Sequence, residues 1–199
     1  QCFAANPAGG ARAEGVEMSV ITDGKGSLFR PYTYNSEAEF ESAVIALADQ
    51  IFGPSTIYLD IKRKVAGSDI VTIPDGYVVD MTEPGSPKLF IVENEIVSHD
   101  PFKHIGIQML RCATSFDDAR ANVRKFLMIE IARYKDKLGQ LEDGVKRSTS
   151  RNVDDYLERA VDSGFRGLVV IDEARHELHR VIEKINANIS VLELRTFVS

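Results

Sequence analysis

The sequence has few cysteines, no long apolar run and no excess of positive charge, and each shortage narrows the classes of protein that it can encode. Only Cys2 and Cys112 occur in 199 residues, and their number and separation suit neither a disulfide framework nor a cysteine metal motif. No apolar run approaches the ~20 residues that span a bilayer. We therefore expect a soluble, cytoplasmic protein without a membrane partner.

The balance of charge and hydrophobic content sets loose bounds on the architecture. The formal net charge of -6 argues against indiscriminate binding to nucleic acid but leaves room for a local basic groove. A hydrophobic content of 44% predicts one domain with a sizeable core. We assign this domain to residues 19–199, consider a homodimer, and expect residues 1–18 to form a flexible tail in which Met18 is a candidate natural start.

Several catalytic motifs are missing as well. The chain has no G-x-x-x-x-G-K-[ST] phosphate loop, no G-x-G-x-x-G after a strand and no G-x-S-x-G nucleophile elbow. The segment 176–179 (HELH) has histidines three apart, whereas the metalloprotease motif H-E-x-x-H needs them four apart. His99 and His104, five apart across a turn between a strand and a helix, do not have a spacing that we expect to bind zinc.

The most informative segment is 73–97, which predicts two β-strands joined by a Pro/Gly turn, after an earlier strand over 56–64. Asp75 lies on the first strand of the hairpin. Glu93 and Glu95 project from one face of the second strand, because side chains alternate. A solvated acidic edge is the simplest interpretation. Apolar residues on both faces instead favour a covered strand, where unpaired anions are costly and a divalent cation would account for them.

A helix predicted over 37–52 precedes these strands. Ser36 and Glu39 form a capping box, S-x-x-E. Glu41 has no capping role and borders the apolar stripe, so it is a candidate for a functional role, with Glu37 in reserve. The alternative is a residue on the solvated rim. The stripe at helical spacing consists of Phe40, Val44, Leu47 and Ile51.

Pro74-Asp75, followed after a hairpin by Glu93-Asn94-Glu95, resembles the metal-binding core of the PD-(D/E)XK nuclease superfamily, which has the restriction-endonuclease-like fold. In that family a helix carrying a Glu precedes three antiparallel strands, and a helix and a further strand follow. The same order is expected here over 36–112 and beyond. The resemblance implies an α/β fold with a central mixed sheet flanked by helices.

The resemblance also implies metal-assisted hydrolysis of phosphodiester bonds in nucleic acid, with DNA as the expected substrate. Asp75, Glu93 and the carbonyl group of Asn94 would hold Mg²⁺ or Mn²⁺, which prefer oxygen ligands. The family's Lys, which orients the attacking water, is replaced by Glu95. This carboxylate would act as a general base or as a further metal ligand.

The remaining site candidates lie on the flanking elements. Glu41 would be the family's helix Glu, and Lys62 on the first strand would supply the positive charge that is missing at position 95. A solvated strand end is the alternative for Lys62. The helix that follows the hairpin carries a polar stripe of three side chains, His104, Gln108 and Arg111. The resemblance places this stripe near the scissile phosphate, and the alternative is an ordinary solvated face.

The rest of the chain continues the α/β pattern. Its predicted elements are a helix that begins after Asp100, a basic helix over 116–138, a mobile loop over 139–152, a helix over 153–163, a strand over 167–172, a helix over 173–186 and a strand over 190–197. The basic helix is either an ordinary solvated surface or a DNA-facing arm. Two other functions stay open, an inactive nuclease-fold module that binds nucleic acid or protein, and a structural protein whose hairpin acids are incidental.

Overall fold

The computed structural model describes residues 21–22, 24–67, 71–100, 102–185 and 187–199. The predicted tail over 1–18 lies outside the described residues. Contacts divide the chain into two compact units, of which the larger is Tyr34–Arg195 and the smaller includes the described residues up to Thr33 together with Thr196–Ser199. The assignment of 19–199 to a single domain stays a prediction.

The described residues form ten strands and six α-helices. The strands are β1 (Ile21–Thr22), β2 (Leu28–Pro31), β3 (Thr56–Leu59), β4 (Val65–Ala66), β5 (Val71–Thr72), β6 (Gly76–Asp80), β7 (Lys88–Glu95), β8 (Gly167–Ile171), β9 (Ile189–Glu193) and β10 (Phe197–Val198). The helices are α1 (Glu37–Ala46), α2 (Ala48–Phe52), α3 (Ile107–Ile131), α4 (Lys135–Lys146), α5 (Val153–Asp162) and α6 (His176–Ile185). Over these ranges, no helix has the length and apolar character that crossing a membrane requires.

The larger unit contains a five-stranded sheet in the order β3-β6-β7-β8-β9. The first three strands of this order are antiparallel, and β7, β8 and β9 are parallel. The expected α/β architecture with a central mixed sheet is therefore confirmed. The two strands of the predicted hairpin, β6 and β7, are neighbours, with Gly76 opposite Val92. The backbone N–H of Asp75 extends this pairing by donating to the Val92 carbonyl at 3.1 Å.

The core lies against the antiparallel half of this sheet. Apolar side chains of β3, β6 and β7 pack with those of α3, α4 and α5, and Phe40 and Val44 of α1 are fully buried. Each such side chain contributes about 1.5–3 kcal/mol when it is withdrawn from water. Strand β7 lies between β6 and β8, and its last five residues are all buried, as the apolar residues on both faces predicted.

The helix predicted over 37–52 is interrupted. Ser36 caps it as expected, since its Oγ accepts a hydrogen bond from the Glu39 backbone N–H at 3.2 Å. The chain leaves helical geometry at Leu47, so that this side chain is 42% exposed and Ile51 is only partly buried. The predicted stripe is therefore correct for Phe40 and Val44 and wrong at Leu47. The helix breaks at this residue, and α2, which follows the break, does not continue the stripe.

The helices after the hairpin differ from the prediction in their boundaries, and the helix predicted over 116–138 is interrupted between Ile131 and Lys135. α3 continues through the expected boundary at Phe116, because its buried residues keep one helical spacing from Met109 to Ile131. The mobile loop predicted over 139–152 is wrong for its first half, which belongs to α4. Glycine lowers helix propensity, but Gly144 is buried with its Cα against the ring of Tyr156, where a Cβ would come within 3.0 Å.

The end of the chain divides between two sheets. The predicted helix over 153–163 and the strand over 167–172 agree with α5 and β8 to within one residue. The helix predicted over 173–186 begins only at His176, and residue 186 lies outside the described residues. The single strand predicted over 190–197 is wrong, because β9 ends the central sheet whereas β10 pairs with β2 in the smaller unit.

Gly76 offers a test of the close contact between β3 and β6. A Cβ at this position would lie 2.8 Å from the Tyr58 hydroxyl and 3.0 Å from the Leu59 carbonyl oxygen. We expect Gly76→Ala to lower the free energy of unfolding by about 1–3 kcal/mol, because overpacking forces the backbone to move. The matched control Gly85→Ala, with nothing within 4 Å of its Cβ, should change it by less than about 0.5 kcal/mol. Equal effects in chemical denaturation would contradict the close packing.

Candidate functional site

Asp75 and Glu93 form an acidic pair where β6 and β7 meet. The pairing of Gly76 with Val92 places Asp75 opposite Glu93, and Glu93 is only 5% exposed. The backbone N–H of Asn94 donates to Asp75 Oδ2 at 2.9 Å and holds this carboxyl group in place. The structure thus brings together the two residues that the sequence selected as metal ligands.

The electrostatics of the acidic pair disfavour two negative charges. Burial raises the pKa of Glu93 well above its ordinary value, and the neighbouring charge of Asp75 raises it further. Burial also raises the pKa of Asp75, against the opposing effect of the hydrogen bond from Asn94. Two carboxyl groups in contact titrate as one coupled unit. Without a cation, the pair therefore retains protons more tightly than exposed acids do.

Helix α3 fixes the orientation of Glu93. Gln108 Nε2 donates to Glu93 Oε2 at 3.1 Å and to the Ile73 carbonyl at 3.2 Å. The thiol of Cys112 lies 3.9 Å from Glu93 Oε1, and burial, followed by the charge of Glu93, raises the pKa of this thiol to about 12. Both partners are neutral, so they orient the carboxyl group but do not balance its charge. Cys112 was not among the site residues selected from the sequence, and its helical spacing places it with the buried Met109 and Phe116 of α3.

Lys62 joins α1 to the acidic pair. Its Nζ lies 2.8 Å from the Glu41 carboxylate and 3.6 Å from Asp75 Oδ1. Burial disfavours the charged ammonium group, but the hydrogen bond to Glu41 and the charge of Asp75 outweigh this effect and raise the pKa of Lys62. The strand predicted over 56–64 ends at Leu59, and Lys62 reaches the site from the segment that follows it.

Glu95 belongs to a different group of side chains. Its Oε1 accepts a hydrogen bond from the Ile96 backbone N–H at 3.0 Å and lies 2.5 Å from His99 Nδ1. Its Oε2 lies 3.9 Å from His104 Nδ1, and the two imidazole rings stack with their centroids 4.9 Å apart. We call these three residues the Glu–His cluster. Its ligand atoms all lie within 4.8 Å of one another, so the cluster can hold a metal ion.

The Glu–His cluster was not expected from the spacing of its histidines. A π-helical turn over Phe102–Gly106 brings the imidazole of His104 over that of His99. His104 therefore lies beside Glu95, and its predicted role near the scissile phosphate stays a prediction. The available signal was the i, i+4 separation of Glu95 and His99, which a strand followed by a tight turn makes into a contact.

The other predicted residues divide between these two groups. Glu37, the reserve candidate, lies with its Oε2 3.7 Å from His99 Nδ1. The Asn94 side chain turns toward Tyr58, whose hydroxyl is 3.5 Å from its Nδ2, and in the described structure its Oδ1 is buried without a hydrogen-bond partner. Arg111 is exposed on α3, and no hydrogen bond or ion pair among the described residues ties it to the acidic pair.

No protein-family model, curated protein or solved structure gives a significant match to this chain. Its chemistry must therefore be inferred from the geometry of the two groups. The acidic pair offers only oxygen ligands and has a lysine beside it. The Glu–His cluster offers one carboxylate and two imidazoles.

Glu93→Gln tests the electrostatic cost of the acidic pair. The pKa of Glu93 is raised in the folded state, so its contribution to the free energy of unfolding is fully present below about pH 4. That contribution is lost as the pH rises through the folded-state pKa. Glutamine cannot ionise, so the Glu93→Gln variant does not lose this free energy. In metal-free solution we expect the variant to exceed the wild type by about 1–2 kcal/mol near neutral pH, and the difference to shrink in acid.

The measurement is denaturant unfolding at a series of pH values in the presence of a chelator. Glu83→Gln, an isosteric change at an exposed position of the same hairpin, should give no such pH-dependent gain. A Glu93→Gln difference that stays constant across the pH series would show that Glu93 has an ordinary pKa.

Proposed function

We propose that the protein is a metal-dependent nuclease that hydrolyses phosphodiester bonds in nucleic acid, with DNA as the expected substrate. The observation that carries this proposal is the acidic pair, in which the buried Glu93 stands opposite the partly buried Asp75 with Lys62 at its side. Two poorly solvated carboxylates so placed are costly unless a cation joins them.

The order of elements supports membership of the PD-(D/E)XK superfamily. Helix α1 precedes the antiparallel strands β3, β6 and β7, and helix α3 and the parallel strand β8 follow. This is the succession that the resemblance implies. Asp75 and Glu93 stand at the ends of the second and third strands of this succession, where the family places its acidic residues. The restriction-endonuclease-like fold is therefore part of the proposal.

The donor atoms fit Mg²⁺ or Mn²⁺. Asp75 and Glu93 present oxygen ligands, which these hard cations prefer, and both cations retain water molecules. The raised pKa values of the two carboxyl groups are expected where a cation is required to stabilise the doubly ionised form. When bound, the ion would supply Lewis acidity for the phosphate and lower the pKa of a coordinated water molecule.

Protein side chains would supply the remaining chemistry. Lys62, positioned by Glu41, presents an ammonium group that would stabilise negative charge developing on the phosphate. Gln108 keeps the Glu93 carboxyl group in its orientation. Glu95 contacts His99 at 2.5 Å and belongs to the Glu–His cluster, so the attacking water molecule would be activated by the ion at the acidic pair rather than by this carboxylate.

Cleavage assays with purified protein test this proposal. With Mg²⁺ or Mn²⁺ and single- and double-stranded DNA and RNA as substrates, we expect Asp75→Asn and Glu93→Gln to abolish cleavage without lowering the thermal stability. Lys62→Met should reduce the rate by about 10²-fold or more, because one charge-stabilising group is lost. The control Lys64→Met removes an exposed lysine of the same segment and should leave cleavage unchanged. Full activity in Glu93→Gln would refute the proposed chemistry.

The second candidate function is a nuclease-fold module without hydrolytic activity that binds nucleic acid or protein. Glu95 in place of the family's Lys and the net charge of -6 favour it. Glu95→Lys separates the two functions, since it should impair an enzyme that uses Glu95 and can restore activity to a degenerate one. An inert wild type, an inert Glu95→Lys variant and no Mn²⁺ binding by calorimetry would together favour the non-catalytic module.

A further inference from the structure

We propose that the Glu–His cluster is a second metal site, distinct from the acidic pair, which binds a transition-metal ion such as Zn²⁺, Co²⁺ or Ni²⁺ in preference to Mg²⁺. The cluster consists of Glu95, His99 and His104, whose ligand atoms lie within 4.8 Å of one another. The assignment depends on these three side chains and holds whether or not the chain cleaves nucleic acid.

The distances between the ligand atoms suit a shared ion. Metal–nitrogen and metal–oxygen bonds of about 2.0–2.2 Å place the ligands of a tetrahedral ion roughly 3–4 Å apart. In the cluster, His99 Nδ1 and His104 Nδ1 lie 2.5 Å and 3.9 Å from opposite oxygens of the Glu95 carboxylate. The first separation is shorter than this range and the second lies within it. An ion would therefore bind between the ligands once the His99 imidazole and the Glu95 carboxylate move apart by about 0.5–1 Å.

Backbone hydrogen bonds fix the positions from which the ligands project. The Ile96 N–H donates to Glu95 Oε1 at 3.0 Å, and the His99 N–H donates to the Ile96 carbonyl at 3.1 Å. The His104 N–H donates to the Asp100 carbonyl at 3.1 Å. A strand end, a tight turn and a π-helical turn thus converge on one point, which reduces the ordering that a bound ion would have to impose.

The negative charge of the Glu–His cluster favours a cation, and its exposed side allows the cation to enter from solvent. Glu95 is 6% exposed, and the ion pairs recorded for it among the described residues are both with histidines. Glu37 adds a second carboxylate 3.7 Å from His99. The His104 side chain is 52% exposed, so an ion has a route of entry. Three protein ligands leave a coordination position open, unlike structural zinc sites, which have four.

The ligand types determine the expected selectivity. Imidazole nitrogen suits Zn²⁺, Co²⁺ and Ni²⁺, whereas Mg²⁺ prefers an octahedron of oxygen ligands and water. The acidic pair offers oxygen only. The two sites should therefore be filled independently, with Mg²⁺ at Asp75 and Glu93 and the transition metal at the Glu–His cluster.

Cobalt binding to the chelator-treated full chain tests the assignment. In excess Mg²⁺, we expect one equivalent of Co²⁺ to bind, seen by calorimetry and by the visible absorption of nitrogen-ligated cobalt. His99→Gln and His104→Gln should each weaken binding by more than about 100-fold, which exceeds the 10–100-fold cost of losing an outer-shell partner. Thermal unfolding without metal verifies that each variant is folded.

Two control variants make the test specific. His179→Gln removes an exposed histidine of α6 and should leave Co²⁺ binding unchanged. Glu93→Gln should also retain Co²⁺ binding even where it abolishes cleavage, so that failure of the proposed nuclease and failure of this site are told apart. The site is overturned if no Co²⁺ binds in excess Mg²⁺, if both cluster variants bind like the wild type, or if His179→Gln or Glu93→Gln loses binding as they do.

Discussion

The pairing of β6 with β7 is the constraint on which the candidate site depends. Gly76 lies opposite Val92, and this register places the carboxyl groups of Asp75 and Glu93 in contact. A slip by one residue would turn Glu93 to the opposite face of the sheet. The register is secured by the apolar faces of β7, which are buried between neighbouring strands and helices. The hydrophobic core therefore holds together two charges that would otherwise separate.

Under the proposed function, the position of the positive charge would compensate for a changed motif. In the superfamily to which we propose to assign this chain, the lysine follows the second acidic residue by two positions, where this chain has Glu95. Here an ammonium group approaches Asp75 from the segment after β3, guided by Glu41. Stabilisation of developing charge depends on where the group lies in space. Lys62 therefore offers an equivalent from another part of the chain.

Glu93 and Glu95 show how two residues on one strand face acquire different environments. Glu93 points between Asp75 and α3, where its partners are a carboxyl group, an amide and a thiol. Glu95 stands at the end of β7, where the chain turns and returns with His99 and His104. Glu93 and Glu95 are only two residues apart along the strand. The surroundings of Glu93 are nevertheless rich in oxygen atoms, whereas those of Glu95 contain two imidazole rings. This difference in donor atoms underlies the two metal selectivities that we propose.

Local patterns account for the parts of the fold that could be predicted from the sequence. The acidic hairpin, the Ser36 cap and the elements α5 and β8 follow from alternation, helical spacing and turn residues, all of which act over a few positions. These patterns were sufficient to place Asp75 and Glu93 on adjacent strands. The family resemblance added Lys62 and Glu41 as candidates, although it did not predict the ion pair that joins them.

The remaining features depend on contacts between distant segments. The break at Leu47, the uninterrupted length of α3 and the burial of Gly144 beneath Tyr156 are set by packing, which overrides local propensity. The Glu–His cluster arises from a π-helical turn that stacks His104 on His99. Spacing along the chain fixes only which residues can share a face of a regular element, whereas tertiary packing decides where a turn directs the side chains that follow it.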